Sequence, residues 1–427
     1  MSPPTPDARS TATTALCNDG SKAIIADNTD PETETESDTW DGKRYTLVAS
    51  TQGVALVRKT LAESVFKSPP EAIRVLTHDV GGGFGMKVQT YAEYAALLYA
   101  AKRCERPVHW CATRLESFLA DTHGRDGMLE GELALDREGR FLALRARTRV
   151  GIGAYASTYA AIVATNNTKN CLSSVYRIPA IHTGVKMVLT NAAPLGPYRG
   201  AGRPEAIYLV ERLIDAAAKA TGIDRVELRR RNLIPLSAMP YAAPSGQSYD
   251  SGEFEAVLDK ALALSDWNGF PGRRRRSEAA GRLRGIGIGC FLEVAGGAPL
   301  TETADLRFEA DGTAVLRTGA QAMGQGQMTT LPLILAQALQ VDVSRVRIVQ
   351  GDSDEVPGGL PTVASRSTMM AGGAMLRAAE EAIRKAAELA AELLEAAASD
   401  IEYAAGEFRV AGTDRRVGWR ELARKNA

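Results

Sequence analysis

Apolar and polar positions alternate in short runs along this chain, and most runs end in a small-residue turn followed by a helical pattern. Residues 44–50 alternate as a strand, Thr51-Gln52-Gly53 turns the chain, and apolar positions recur at helical spacing over 54–66. A second strand at 73–77 runs into Asp79-Val80-Gly81-Gly82-Gly83-Phe84-Gly85-Met86-Lys87, and a helix follows over 90–102. Further on, the pattern predicts a strand at 108–113 and a hairpin of 128–135 with 141–152 about Asp136-Arg137-Glu138-Gly139. A strand at 185–190 and helices at 205–221 and 224–232 come next, with Gly222 suited to close the longer helix. Residues 157–172 read as loop or short helix.

From about 283 the same order returns. A hairpin at 304–308 and 313–318 turns on Asp311-Gly312, a Gly/Gln turn spans 319–327, and a helix covers 329–339. A strand at 346–350 leads into a long Gly, Pro and Ser/Thr loop over 351–374, then an Ala/Glu/Leu helix over 375–398. A short strand pair at 401–410 and a last helix finish the chain. Each half thus offers a glutamine turn and a loop of small residues. The sequence divides into a polar 1–44 expected to be disordered or loosely attached, a first domain 45–235, a linker with a helix 236–282, and a second domain 283–427. The run Arg273-Arg274-Arg275-Arg276 sits in that linker and reads as a solvated stretch.

Composition removes several function classes. Lys plus Arg and Asp plus Glu each number 51, so net charge implies no nucleic-acid partner. No apolar run approaches the ~18 residues of a membrane span, and the start at Met1-Ser2-Pro3-Pro4 has no secretory pattern, so a cytoplasmic location is expected. The five cysteines form no C-x-x-C pair, and the four histidines show no i, i+3 or i, i+4 spacing. A protein-ligated zinc or iron–sulfur site is not expected from such a set.

The glycine loop lets a backbone approach a ligand closely and exposes N–H groups where anions bind. It is neither a Walker loop, since Met86-Lys87-Val88 replaces Gly-Lys-Ser/Thr, nor a dinucleotide fingerprint, since Met86 replaces the third glycine. An ordinary tight turn is the other reading of the loop. Gln52, Gln325 and Gln327 read equally as polar turn residues, and Arg199 as a loop salt bridge. None of these turns contains an evident acid, base or nucleophile, which suits gripping a large polar cofactor that brings its own chemistry.

Six motifs taken in order carry a resemblance: Ser50-Thr51-Gln52, the loop from Gly81 to Lys87, Tyr198 to Glu205, Arg229-Arg230-Arg231-Asn232, Met323 to Gln327, and Thr362 to Thr368. Over residues 44–427 the chain resembles the molybdopterin-binding large subunit of the xanthine dehydrogenase/aldehyde oxidase family, in its carbon monoxide dehydrogenase-like branch. The resemblance implies an α+β fold of two pseudo-repeated mixed α/β cofactor-binding domains, the second truncated. It implies molybdopterin cytosine dinucleotide with molybdenum held by the pterin dithiolene rather than by side chains. It also implies [2Fe-2S] and FAD on partner subunits, an iron–sulfur small chain and a FAD-binding medium chain. Oxidative hydroxylation of an aldehyde or N-heterocycle, with water as oxygen source, is the implied reaction.

By matching position, Gln52 should hydrogen-bond an oxo ligand, and Gly82, Gly83, Phe84 and Gly85 should pass by the metal. Arg199 should face the substrate and Arg231 should lie near the metal centre. Gly324, Gln325, Gly326 and Gln327 should hold the pterin and phosphates, with Ala364, Ser365, Arg366 and Ser367 closing from the other side. The sequence also departs from the family. Gly200 stands where carbon monoxide-oxidising members have a copper-binding cysteine, and Val88 where purine-oxidising members have a glutamate. The family's base glutamate has no counterpart before Ala427, so an incomplete, inactive fragment is the alternative reading.

Overall fold

The computed structural model describes residues 22–25, 43–296 and 301–426. By their contacts, the described residues within 1–117 and 294–427 form one compact unit, and 118–293 form another. The expected division at 236–282 follows chain order, whereas the units are interleaved, the second being inserted within the first.

The first unit holds the repeat. In its first half, four parallel strands lie in the order Ile73–Leu76, Tyr45–Val48, Lys22–Ile25, Val108–Trp110. Inward positions alternate as the pleat requires: Tyr45, Leu47, Ile73 and Val75 are buried against Val57, Leu61 and Leu98 of the covering helices. Lys22–Ile25 corrects part of the expected loose segment. Its Lys-Ala-Ile-Ile sequence supplies a strand between two others; the rest of 1–42 lies outside the described residues.

The second half repeats the unit. Ala304–Phe308 pairs antiparallel with Ala314–Thr318, which runs parallel to Val346–Val349. Leu316, Leu331, Leu335, Met375, Phe408 and Trp419 make its core beneath the helices Gln327–Ala338 and Gly372–Leu393. The expected loop over 351–374 ends early, because Ser367–Ala371 is already helical and runs into Gly372–Leu393.

The two halves are sewn together at the ends of their second strands. Leu76 and Asp352 form an antiparallel bridge. Thr77 N–H donates to Gly351 O at 2.7 Å, Ser353 N–H to Val75 O at 2.9 Å, and Val75 N–H to Ser353 Oγ at 2.9 Å. Arg74 pairs with Asp352 at 2.6 Å beside them. Burial pushes the Asp352 carboxyl up, but the Arg74 guanidinium and the Asp354 N–H outweigh it and hold it below the usual carboxylate range.

The second unit has a three-stranded sheet, Gly127–Leu135 antiparallel to Phe141–Gly153, which is parallel to Ala180–Leu189. Arg203–Thr221 packs on it, capped by Gly222 at φ 74°. Arg229 is fully buried and held by Glu211 at 2.8 Å and Asp215 at 3.0 Å, with Tyr176 Oη donating to Glu211 at 2.6 Å. Two expectations change here. The four arginines lie on a helix, Phe270–Ala279, because Pro271 suits a first turn and Arg274 pairs with Glu278 at 2.9 Å. Residues 284–291 do not open the later domain. Ile288 and Cys290 pack against the second unit's core, and Ser174 Oγ donates to Cys290 O.

Candidate cofactor site

Within the first unit, the turn after Tyr45–Val48 puts Gln52 in a buried position with both ends of its amide engaged. Its Oε1 accepts from Gly85 N–H at 2.8 Å, and its Nε2 donates to Thr362 O at 2.8 Å. Its backbone N–H donates to Lys87 O, and its carbonyl accepts from Thr362 N–H at 2.8 Å. The amide orientation is fixed by its partners, since a backbone N–H can only donate and a carbonyl can only accept. One residue therefore ties the glycine loop of the first half to the long loop of the second.

The glycines are required at this point. A Cβ on Gly83 would lie 2.6 Å from Gln52 Oε1, and Gly85 sits at φ 98°. Phe84 also takes positive φ, 53°, and is 55% exposed. That backbone is uncommon for a bulky side chain, and strain of this kind gathers at functional sites. Lys87 Nζ closes the loop onto Val80 O at 2.7 Å. The loop does not run straight into a helix start as the pattern suggests. A 3-10 turn, Met86–Val88, intervenes, and the helix is Ala92–Cys104.

The second half's turn has a different character. Gly324 and Gly326 sit at φ 106° and 84°, with open space where a Cβ would stand. Gln325 folds back on its own turn, accepting from Met323 N–H and donating to Gln321 O. Gln327 begins the helix Gln327–Ala338, which has no side-chain cap. Its Oε1 is buried without a hydrogen-bond partner among the described residues, and so is Gln321 Oε1. Ala364 and Ser365 take consecutive positive φ values, 52° and 54°, with Ala364 O accepting from Gly296 N–H. Arg366 turns inward to Glu302 at 3.4 Å and Gly296 O at 3.0 Å, and Ser367 Oγ donates to Thr362 Oγ1 at 3.3 Å.

The structure thus brings together Gln52, Gly83, Gly85 and the loop before Ser367. Gln325 and Gln327 share a turn with Gln321. Arg199 and Arg231 belong to the other unit. Arg199 is exposed, and its carbonyl accepts from Arg125, which also donates to Tyr198 O at 3.0 Å. Arg231 pairs with Glu227 at 2.8 Å and donates to Glu138 O at 2.7 Å, tying its helix to a hairpin turn.

Sequence reasoning assigned no role of its own to Thr362, Gln321 or Arg125. Gln321 has a signal visible once register is known. Tyr45 pairs with Ile73 and Ala314 with Val346 as the first partners of their parallel pairs. Gln52 stands seven residues after Tyr45, and Gln321 seven residues after Ala314. The counterpart of Gln52 is therefore Gln321, not the glutamines of the later Gly-Gln-Gly-Gln run.

Residues 31–233 match a family model described as a molybdopterin cofactor-binding domain, and residues 260–427 match a second with the same description. The carbon monoxide dehydrogenase large chain of Hydrogenophaga pseudoflava is 33% identical over 340 residues, 76% of this chain and 42% of that one. The 6-hydroxypseudooxynicotine dehydrogenase complex subunit gamma of Paenarthrobacter nicotinovorans is 33% identical over 316 residues, 73% of this chain and 40% of that one. The chain spans about two fifths of the length of these curated relatives. Among solved structures, quinoline 2-oxidoreductase from Pseudomonas putida 86 superposes with a TM-score of 0.83 at 31% identity, covering 90% of this chain and 50% of that chain.

Proposed function

The chain belongs to the molybdopterin cofactor-binding family of molybdenum hydroxylase large subunits, and from that premise we propose that its first unit grips a molybdenum–pterin cofactor for the oxidative hydroxylation of an N-heterocycle or aldehyde. The observation that carries this is the contrast inside one site. Gln52 is locked between Gly85 N–H and Thr362 O, while Gln321 and Gln327 keep buried oxygens that nothing among the described residues satisfies. A buried acceptor without a donor costs about 1–3 kcal/mol. A pterin edge carries N–H donors that fit such acceptors, and open glycines at 324 and 326 leave room for close approach.

In this reading Gln325, Gln327, Gly324 and Gly326 hold the pterin and its phosphates. Ala364, Ser365 and Ser367 face it from the long loop, with Arg366 bracing that loop against Glu302. Gly82, Gly83, Phe84 and Gly85 pass by the metal, and Gln52, whose Nε2 carries a second N–H beyond the one given to Thr362 O, is the residue that would donate to an oxo group there. The dithiolene, not a side chain, holds molybdenum. When bound, the group supplies two-electron oxidation with oxygen drawn from water. The chain's part is to orient and to exclude water. The family resemblance alone assigns Arg199 to the substrate's polar group and Arg231 to the metal centre. Gly200 in place of a copper-binding cysteine argues against carbon monoxide as substrate, and Val88 against purines. The names of two relatives, a quinoline oxidoreductase and a 6-hydroxypseudooxynicotine dehydrogenase subunit, support a heterocyclic substrate.

The finer parts of the reading are a cytosine dinucleotide on the pterin, an iron–sulfur small subunit, a FAD-binding medium subunit and a cytoplasmic complex. No helix among the described residues is long and apolar enough to cross a membrane. The test is to purify the chain with the products of its neighbouring genes and measure molybdenum, pterin nucleotide and oxidation of quinoline-type and aldehyde substrates with a dye acceptor. Stoichiometric molybdenum with turnover of either class is expected. A folded complex lacking molybdenum would sink the reading.

A further inference from the structure

Gln52 and Gln321 form a reciprocal pair. Each stands seven residues after the start of the matching strand, Tyr45 or Ala314, and each sends its amide nitrogen onto a backbone carbonyl across the junction of the halves. Gln52 Nε2 donates to Thr362 O at 2.8 Å, and Gln321 Nε2 donates to Thr51 O at 3.0 Å. Thr51 O can only accept, so the nitrogen of Gln321 must face it and the oxygen must face away. The main chain repeats the exchange, since Gln321 N–H donates to Thr362 Oγ1 at 2.7 Å.

The symmetry breaks at one atom. Gln52 Oε1 is satisfied by the glycine loop's Gly85 N–H. Gln321 Oε1 is equally shut away from solvent, its residue being 1% exposed, and no donor among the described residues reaches it. Buried polar groups are nearly always partnered, so the missing donor points to something the chain holds. We propose that Gln321 is a further binding glutamine, whose Oε1 accepts a hydrogen bond from an N–H donor on the edge of the held group while its Nε2 keeps the Gln52 turn in register. This inference rests on the cofactor reading above and adds to it a residue outside the Gly-Gln-Gly-Gln run.

Two variants of similar length separate the roles. Gln321→Met removes both donor and acceptor, and Gln321→Glu keeps an acceptor while losing the donor to Thr51. Both are purified as the full complex, and molybdenum and pterin per chain are measured beside the thermal midpoint of the cofactor-stripped chain. The expected result is at least a tenfold loss of molybdenum and pterin in Gln321→Met, a loss within threefold in Gln321→Glu, and a lowered but still cooperative midpoint in both, since both lose the donor to Thr51 O. Wild-type cofactor content in Gln321→Met would overturn the proposal, as would equal loss in both variants. Cofactor loss that merely tracks loss of the folded chain would make Gln321 a structural tie and would also overturn it. A wild-type complex without molybdenum would instead overturn the cofactor reading itself.

Discussion

The two halves of the first unit share one plan and use it differently. In the first half the turn residue Gln52 is engaged at both ends of its amide and at both backbone groups, with four hydrogen bonds. In the second half the corresponding residue, Gln321, and the helix-starting Gln327 each keep a buried oxygen that no described residue answers. A shared strand–turn plan with unequal satisfaction of Gln52 and Gln321 supports the proposal that the second turn is left open to a ligand. In the proposed reading the Gln52 turn sets the geometry, and the turn from Gln321 to Gln327 supplies acceptors.

The largest test of this contrast is Gln52→Leu. It leaves Gly85 N–H and Thr362 O without their side-chain partner, and each such loss costs about 1–3 kcal/mol. Urea unfolding of the cofactor-free chain should show a loss of about 3 kcal/mol, together with loss of molybdenum. A variant as stable as wild type would mean that the ties through Gln52 do not hold the halves together.

Next in size is the junction. A Cβ on Gly351 would lie 2.4 Å from Thr77 O, and the residue sits at φ 78°. Gly351→Ala should therefore cost about 2 kcal/mol, since the neighbour is backbone and cannot swing aside. Gly324→Ala in the open turn meets no neighbour and should cost about 1 kcal/mol or less, from backbone strain alone. Equal costs at the two positions would erase the difference between a closed junction and an open turn.

A smaller effect is set by pH. The folded Asp352 carboxyl titrates below its unfolded value, so its contribution is full above about pH 4 and is lost as pH falls through the folded value. Asp352→Asn should lower stability at neutral pH by about 1 kcal/mol, and the gap from wild type should close in acid. A gap that persists unchanged at pH 2 would assign the effect to packing instead of the Arg74 pair.

Much of this was legible in the chain. Strands at 45–48 and 73–76 and the helices after them follow from alternation and from helical spacing. The glycine loop was readable because positive φ and close approach leave few other residues possible. The interleaving was not legible, because periodicity reports which face is buried and not what covers it. Ile288 and Cys290 look like the start of a new unit until their packing against the inserted one is seen. The Gln52–Thr362 and Gln321–Thr51 ties join positions far apart in sequence, and no local pattern encodes such pairing. Gln321 was hidden for a further reason: the glycine-flanked glutamines after it draw the eye, and only strand register shows which glutamine matches Gln52.

The central claim is that the second half's open acceptors exist for a molybdenum–pterin group, and Gln327→Leu tests it most directly. Removing a buried acceptor that has no partner should leave the cofactor-free chain within about 0.5 kcal/mol of wild type, or slightly more stable. Molybdenum per chain in the purified complex, measured by inductively coupled plasma mass spectrometry, should nevertheless fall at least tenfold. Full molybdenum in Gln327→Leu, beside a fully loaded wild type, would contradict the account.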